Sequence, residues 1–137
     1  MDKIEELRVE QLIKQLRDNM NTDDFEYIQG DVVEEFKKFD NPFVFVEPVI
    51  RLMEENPEID FGIPGYLVHF VEQYYKKGYE ELLIDSLERR PTFHTVWMLQ
   101  RIINDESNPN REMYLGFLKE LSQRNDIDIE VKKRILE

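Results

Sequence analysis

An all-α fold of antiparallel helical hairpins, stacked as a short α-solenoid in a single domain over residues 1–137, is what this sequence predicts. Three observations lead there. Apolar residues recur at helical spacing almost throughout the chain. The connectors are short: Asp40-Asn41-Pro42, Asn56-Pro57-Glu58, Arg90-Pro91-Thr92 and Ser107-Asn108-Pro109-Asn110. Short connections favour antiparallel neighbours. Consecutive pairs then start near Pro42, Tyr79 and Asn110, a period of roughly 30 to 37 residues that belongs to helical-hairpin repeats. Sequence identity between the units is weak, and a compact, non-repetitive bundle is the alternative arrangement.

Eight helices follow in order. Val9, Leu12, Ile13, Leu16 and Met20 mark the first, and Phe25, Ile28, Val32, Phe36 and Phe39 the second, with Gly30 a local weakness. Phe43, Val46, Val49, Ile50 and Met53 mark the third, which Pro48 should kink or shorten at its start. Residues 44–46, VFV, are β-branched and aromatic, but too short and too close to Pro42 and Pro48 to found a sheet. Ile63, Tyr66, Leu67, Phe70, Val71 and Tyr74 mark the fourth, with Pro64 suited to its first turn and Gly78 to its C-terminal cap. Tyr79, Leu82, Leu83 and Leu87 mark the fifth, which stops before Pro91. Phe93, Val96, Trp97, Leu99, Ile102 and Ile103 mark the sixth, with Thr92 as N-cap. Tyr114, Phe117, Leu118 and Leu121 mark the seventh, and an eighth runs from about Ile129 to the end.

The composition restricts function. Thirty acidic residues against eighteen Lys and Arg give a formal charge of −12. That field repels phosphate backbones and anionic membrane surfaces, and it draws in basic proteins. With no cysteine, disulfides and thiolate chemistry are excluded. The N-terminus lacks an apolar signal core, and no stretch suits a bilayer span, so a cytoplasmic location is expected.

Chemistry-bearing constellations are thin. His69 precedes Glu72 by three residues, a pairing that serves proton relay or, more commonly, a surface hydrogen bond. His94 lies between Thr92 and Thr95 at a helix start, where the dipole favours a neutral imidazole. Asp126, Asp128 and Glu130 sit at calcium-loop spacing, but the required glycine is replaced by Val131. Gly62-Ile63-Pro64-Gly65 lacks the lysine and the preceding strand of a phosphate loop and instead shapes the approach to the fourth helix. No enzyme activity, metal or cofactor is expected. Tyr75 is the tyrosine expected to be exposed and able to anchor an interface. The acidic clusters carry the functional signal: Glu54, Glu55, Glu58 and Asp60 around one turn; Glu80, Glu81, Asp85 and Glu88 along the fifth helix; and Asp23, Asp24 and Glu26 opening the second.

Residues 41–104 carry a resemblance. Asp60–His69 (DFGIPGYLVH), Tyr79–Leu87 (YEELLIDSL) and Pro91–Met98 (PTFHTVWM) together resemble the small HEAT-like helical immunity proteins of bacterial polymorphic toxin systems, contact-dependent growth inhibition among them. The resemblance covers about half of the chain, rests on the run of segments rather than on a diagnostic motif, and leaves residues 1–40 aside. It implies a non-catalytic inhibitor that binds a cognate toxin domain and blocks its active site. Many such toxins are nucleases with basic substrate grooves, which an acidic inhibitor complements. A stack of this kind lines its concave face with one helix of each pair. The fourth and sixth helices would then present His69, Glu72, Gln73, Gln100 and Arg101, with Glu54, Glu55, Glu58 and Asp60 as an acidic rim. A general helical-repeat adaptor or scaffold is the alternative of the same fold, and an enzyme working through His69, Glu72 or His94 is the third reading.

Overall fold

Eight α-helices form where apolar periodicity places them. The computed structural model describes residues 1–137 and contains no strand. The helices are α1 (Lys3–Asp18), α2 (Phe25–Phe36), α3 (Val46–Glu55), α4 (Tyr66–Glu72), α5 (Tyr79–Arg89), α6 (Phe93–Ile103), α7 (Arg111–Ser122) and α8 (Ile129–Leu136). A 3-10 turn, Pro42–Phe45, leads into α3.

Local chemistry sets several boundaries. The Asp2 carboxylate accepts the Glu5 N–H at 2.8 Å and so satisfies one free donor of the first turn of α1. Thr92 opens α6 with a reciprocal capping box: its hydroxyl accepts the Thr95 N–H at 3.1 Å, while the Thr95 hydroxyl accepts the Thr92 N–H at 3.1 Å. Two expectations change. The VFV segment is helical, but Val44 and Phe45 lie in the 3-10 turn, and α3 proper begins at Val46. Pro48 is thus the third residue of α3, where its missing N–H coincides with donors that lack partners in any helix. Pro64 is not in the first turn of the fourth helix, because α4 begins two residues later, after Gly65. The α4 segment is followed by further turns that end at Gly78, whose φ of +108° suits a residue without Cβ. The Tyr79 N–H reaches back to the Tyr74 carbonyl across it at 3.3 Å, the six-to-one closure of a glycine-terminated helix.

A single apolar core runs through all eight helices. Phe36, Phe45 and Phe70 are essentially fully buried, and each contributes roughly 1.5–3 kcal/mol by leaving water. Phe36 stacks on Phe45 with centroids 3.9 Å apart and meets Phe70 at 5.1 Å, which joins α2, the 3-10 turn and α4. Gly30 lets α2 and α4 approach, since a Cβ there would lie 3.3 Å from the Tyr66 ring.

The main packing partners are α1 with α2 and α3, α2 with α4, α3 with α4, α5 and α6, α5 with α6, α6 with α7 and α8, and α7 with α8. Polar ties follow a regular offset. Every side-chain hydrogen bond between residues more than eight apart spans 29 to 36 residues. No helix is long and apolar enough to cross a membrane.

Candidate partner-binding surface

The surface is built from two neighbouring regions, the seam between α4 and α6 and the acidic turn after α3. At the seam, Glu72 on α4 meets Arg101 on α6. The guanidinium donates from Nε to Oε2 at 2.6 Å and from Nη2 to Oε1 at 2.9 Å, a bidentate pair. Arg101 also lies over the Trp97 ring at 5.1 Å, a cation–π contact that holds it along α6. One turn farther along, the Tyr75 hydroxyl donates to Asp105 at 2.6 Å and accepts from Asn108 Nδ2 at 2.7 Å. The hydroxyl and N–H of Ser107 and the Tyr75 hydroxyl together hold the Asp105 carboxyl down to about 2. Between these two ties lies a small cavity of about 170 Å³, which Tyr79 and Ile102 also line.

The expected residues divide into two groups. Glu72 and Arg101 are brought together, but by each other. Gln100 donates to the Arg134 carbonyl at 3.1 Å and so ties α6 to α8. His69 on α4 and Gln73 just past its end are exposed. The His69–Glu72 pairing considered from the sequence is displaced, because both oxygens of Glu72 are taken by Arg101. Tyr75 is half-buried rather than exposed. Tyr27 and Tyr66 are the tyrosines that face solvent.

At the acidic turn, Glu55, Glu58 and Asp60 are exposed, while Glu54 is buried. Its carboxylate accepts the Ser86 hydroxyl at 2.8 Å and Arg89 Nη2 at 2.8 Å, so it clamps α3 to α5 instead of facing a partner. Burial pushes its pKa up, but the hydrogen bonds from Arg89 and Ser86 outweigh that and leave it below the ordinary glutamate value. Glu80 also departs from the exposed acidic line expected on the fifth helix. It is buried, and its two oxygens accept the Lys76 N–H at 2.9 and 3.0 Å. The loop that follows the turn is tightly wound: Asp60 Oδ1 accepts the Gly62 N–H at 2.8 Å. A Cβ on Gly65 would stand 2.2 Å from the Phe61 carbonyl oxygen, so only glycine fits there.

No family model, curated protein or solved structure matches this chain. The geometry therefore speaks for itself. His94 is buried between Phe61 and Trp97, with centroids 5.6 and 5.3 Å away, and its Nε2 has no partner. Burial pushes its pKa down against an opposing pull from Asp60, so the neutral imidazole is favoured. Asp126 is held by Arg124 at 2.7 and 2.9 Å, and Asp128 caps α8 by accepting the Glu130 N–H at 2.8 Å. No group of three or more His, Asp or Glu is arranged to hold a metal ion.

Sequence reasoning passed over Gln29. It is 4% exposed, and its Oε1 has no hydrogen-bond partner. The signal was present in the sequence, since Gln29 follows Phe25 by four residues and precedes Val33 by four, a polar residue on the core stripe of α2.

Proposed function

We propose that this protein is a non-catalytic, cytoplasmic inhibitor that binds a cognate bacterial toxin domain, an immunity protein built as a short HEAT-like stack of helical hairpins. The observation that carries the reading is an acidic, partly apolar surface with no internal use for its charge. Glu55, Glu58, Asp23 and Glu26 are exposed and make no ion pair, while three arginines pair with other carboxylates: Arg89 with Glu54, Arg101 with Glu72 and Arg124 with Asp126. Ile63, 76% exposed, and Tyr66, 50% exposed, stand beside those carboxylates. A charged rim around apolar contacts is the anatomy of a protein interface, and a basic toxin groove is its electrostatic complement. The stacked arrangement is supported by the packing order and by polar ties offset by about one hairpin. The toxin identity rests on the resemblance of residues 41–104.

The test is affinity capture from native lysate at low and high salt, followed by an activity assay of the captured protein. A basic toxin domain bound stoichiometrically, released by salt and inhibited by this chain is the expected result. A captured housekeeping complex with no toxin refutes the inhibitor reading and favours the adaptor.

A further inference from the structure

The loop 58–66 and the start of α2 form a second, larger open pocket of about 510 Å³, which joins Glu58 and Asp60 of the expected acidic rim to residues of α2. Four carboxylates line it, Asp23, Glu26, Glu58 and Asp60, and no lysine, arginine or histidine does. Gln29 lines it too, with its buried Oε1 unpaired. A buried carbonyl oxygen without a donor carries a desolvation cost that a ligand's N–H would relieve. The walls are aromatic: Phe25 and Phe61 meet edge to face at 6.0 Å, and the half-exposed Tyr66 stands beside them.

These features select one kind of occupant. The carboxylates are not gathered as a metal site, so a compact ion is a poor fit. An anion is repelled by all four. A guanidinium suits the pocket: it carries five donors in a planar fork, stacks on aromatic rings and is weakly hydrated compared with an ammonium. Its methylene stem is covered by apolar walls while the head is hydrogen-bonded. We propose that this pocket receives an arginine side chain of the partner protein, with Gln29 Oε1 and the surrounding carboxylates as acceptors and Tyr66 as the stacking face. The assignment rests on the protein-binding reading above and gives it an anchor, since buried arginines are frequent energetic centres of interfaces.

The experiment is an NMR titration of the whole chain, labelled with ¹⁵N, using acetyl-arginine methylamide as probe and its citrulline counterpart as the neutral isostere. Saturable shifts confined to amides of residues 22–29 and 58–66, seen with arginine and absent with citrulline, are expected. Glu26→Gln with Glu58→Gln, both exposed positions that leave the core untouched, should weaken the probe roughly tenfold, as should Gln29→Leu by removing the neutral acceptor. Equal shifts from citrulline, shifts scattered over every acidic patch, or unchanged affinity in both variants would overturn the proposal. No toxin enters the titration, so its failure removes the arginine pocket and leaves the inhibitor reading to the capture experiment.

Discussion

Glu54→Ala separates a structural carboxylate from an interface carboxylate. The Glu54 side chain is 11% exposed and that of Arg89 36%. Truncation removes the hydrogen bonds from Ser86 at 2.8 Å and from Arg89 at 2.8 and 3.1 Å. A hydrogen bond to a charged group contributes about 1.5–3 kcal/mol net. The Arg89 share is discounted by about half because the guanidinium regains water. Ser86, fully buried, is left unsatisfied at a cost of about 1–2 kcal/mol. The sum is about 3 kcal/mol, or roughly 10 °C in Tm for a chain of this size. Arg89→Ala should cost a similar amount by stranding the carboxylate, and the double variant should fall short of additivity by about 1–2 kcal/mol. Urea denaturation of the four proteins at pH 7 reads both quantities. The pH dependence has a definite sign. The folded pKa is depressed, so this stabilisation is fully present above the ordinary glutamate value near ~4.3 and is lost as pH falls through the folded value. Glu54→Ala should therefore flatten the acid limb below about pH 4.3. A Glu54→Ala cost under about 0.5 kcal/mol, the level of an ordinary surface change, would refute the clamp and return Glu54 to the exposed rim.

Three other outcomes follow from single sites. His94 has a folded pKa pushed below the ordinary value of 6.5 by burial, so its contribution is intact above that pH and declines as pH drops through it; His94→Gln should reduce the loss of stability between pH 7.5 and 5.5 in chemical denaturation. Gly78→Ala places a Cβ at φ +108° and 3.0 Å from the Phe43 ring, and should cost at least about 1–2 kcal/mol in thermal unfolding. Tyr79→Phe deletes a hydroxyl that is fully buried and has no partner; it should leave Tm unchanged or raise it by up to about 1 kcal/mol equivalent, and a loss of more than that would reveal a bound donor or acceptor.

The helices were legible because apolar spacing is a local property, and most of each stripe faces the core; Ile63, Tyr66 and Phe93 are exceptions, apolar residues at or before helix starts that the structure leaves exposed. The errors share one cause. Glu54 and Glu80 were grouped with their sequence neighbours as acidic clusters. By helical position, Glu54 continues the stripe of Ile50 and Met53, and the structure buries it there against α5. Tyr75 stands next to the charged Lys76, which suggests exposure, yet its environment is made by Asp105 and Asn108, which sequence distance hides. Which carboxylates remain unpaired depends on where each arginine lands, and Arg101 could not be assigned to Glu72 from spacing alone. The pocket beside Gln29 needed the close contact of the 58–66 loop with α2, a tertiary fact whose trace in the sequence is one polar residue on an apolar stripe.

The regular offset of the polar ties bears on how the chain assembles. Each tie closes a loop of 29 to 36 residues, and closure entropy varies only as (3/2)RT ln n. Over that range the difference between the shortest and longest loop is about 0.2 kcal/mol, well below RT. Chain entropy thus ranks no junction ahead of another. The order in which the helices pack is left to the apolar area each one covers, and the aromatic contact of Phe36, Phe45 and Phe70 is one such area, joining α2, the 3-10 turn and α4.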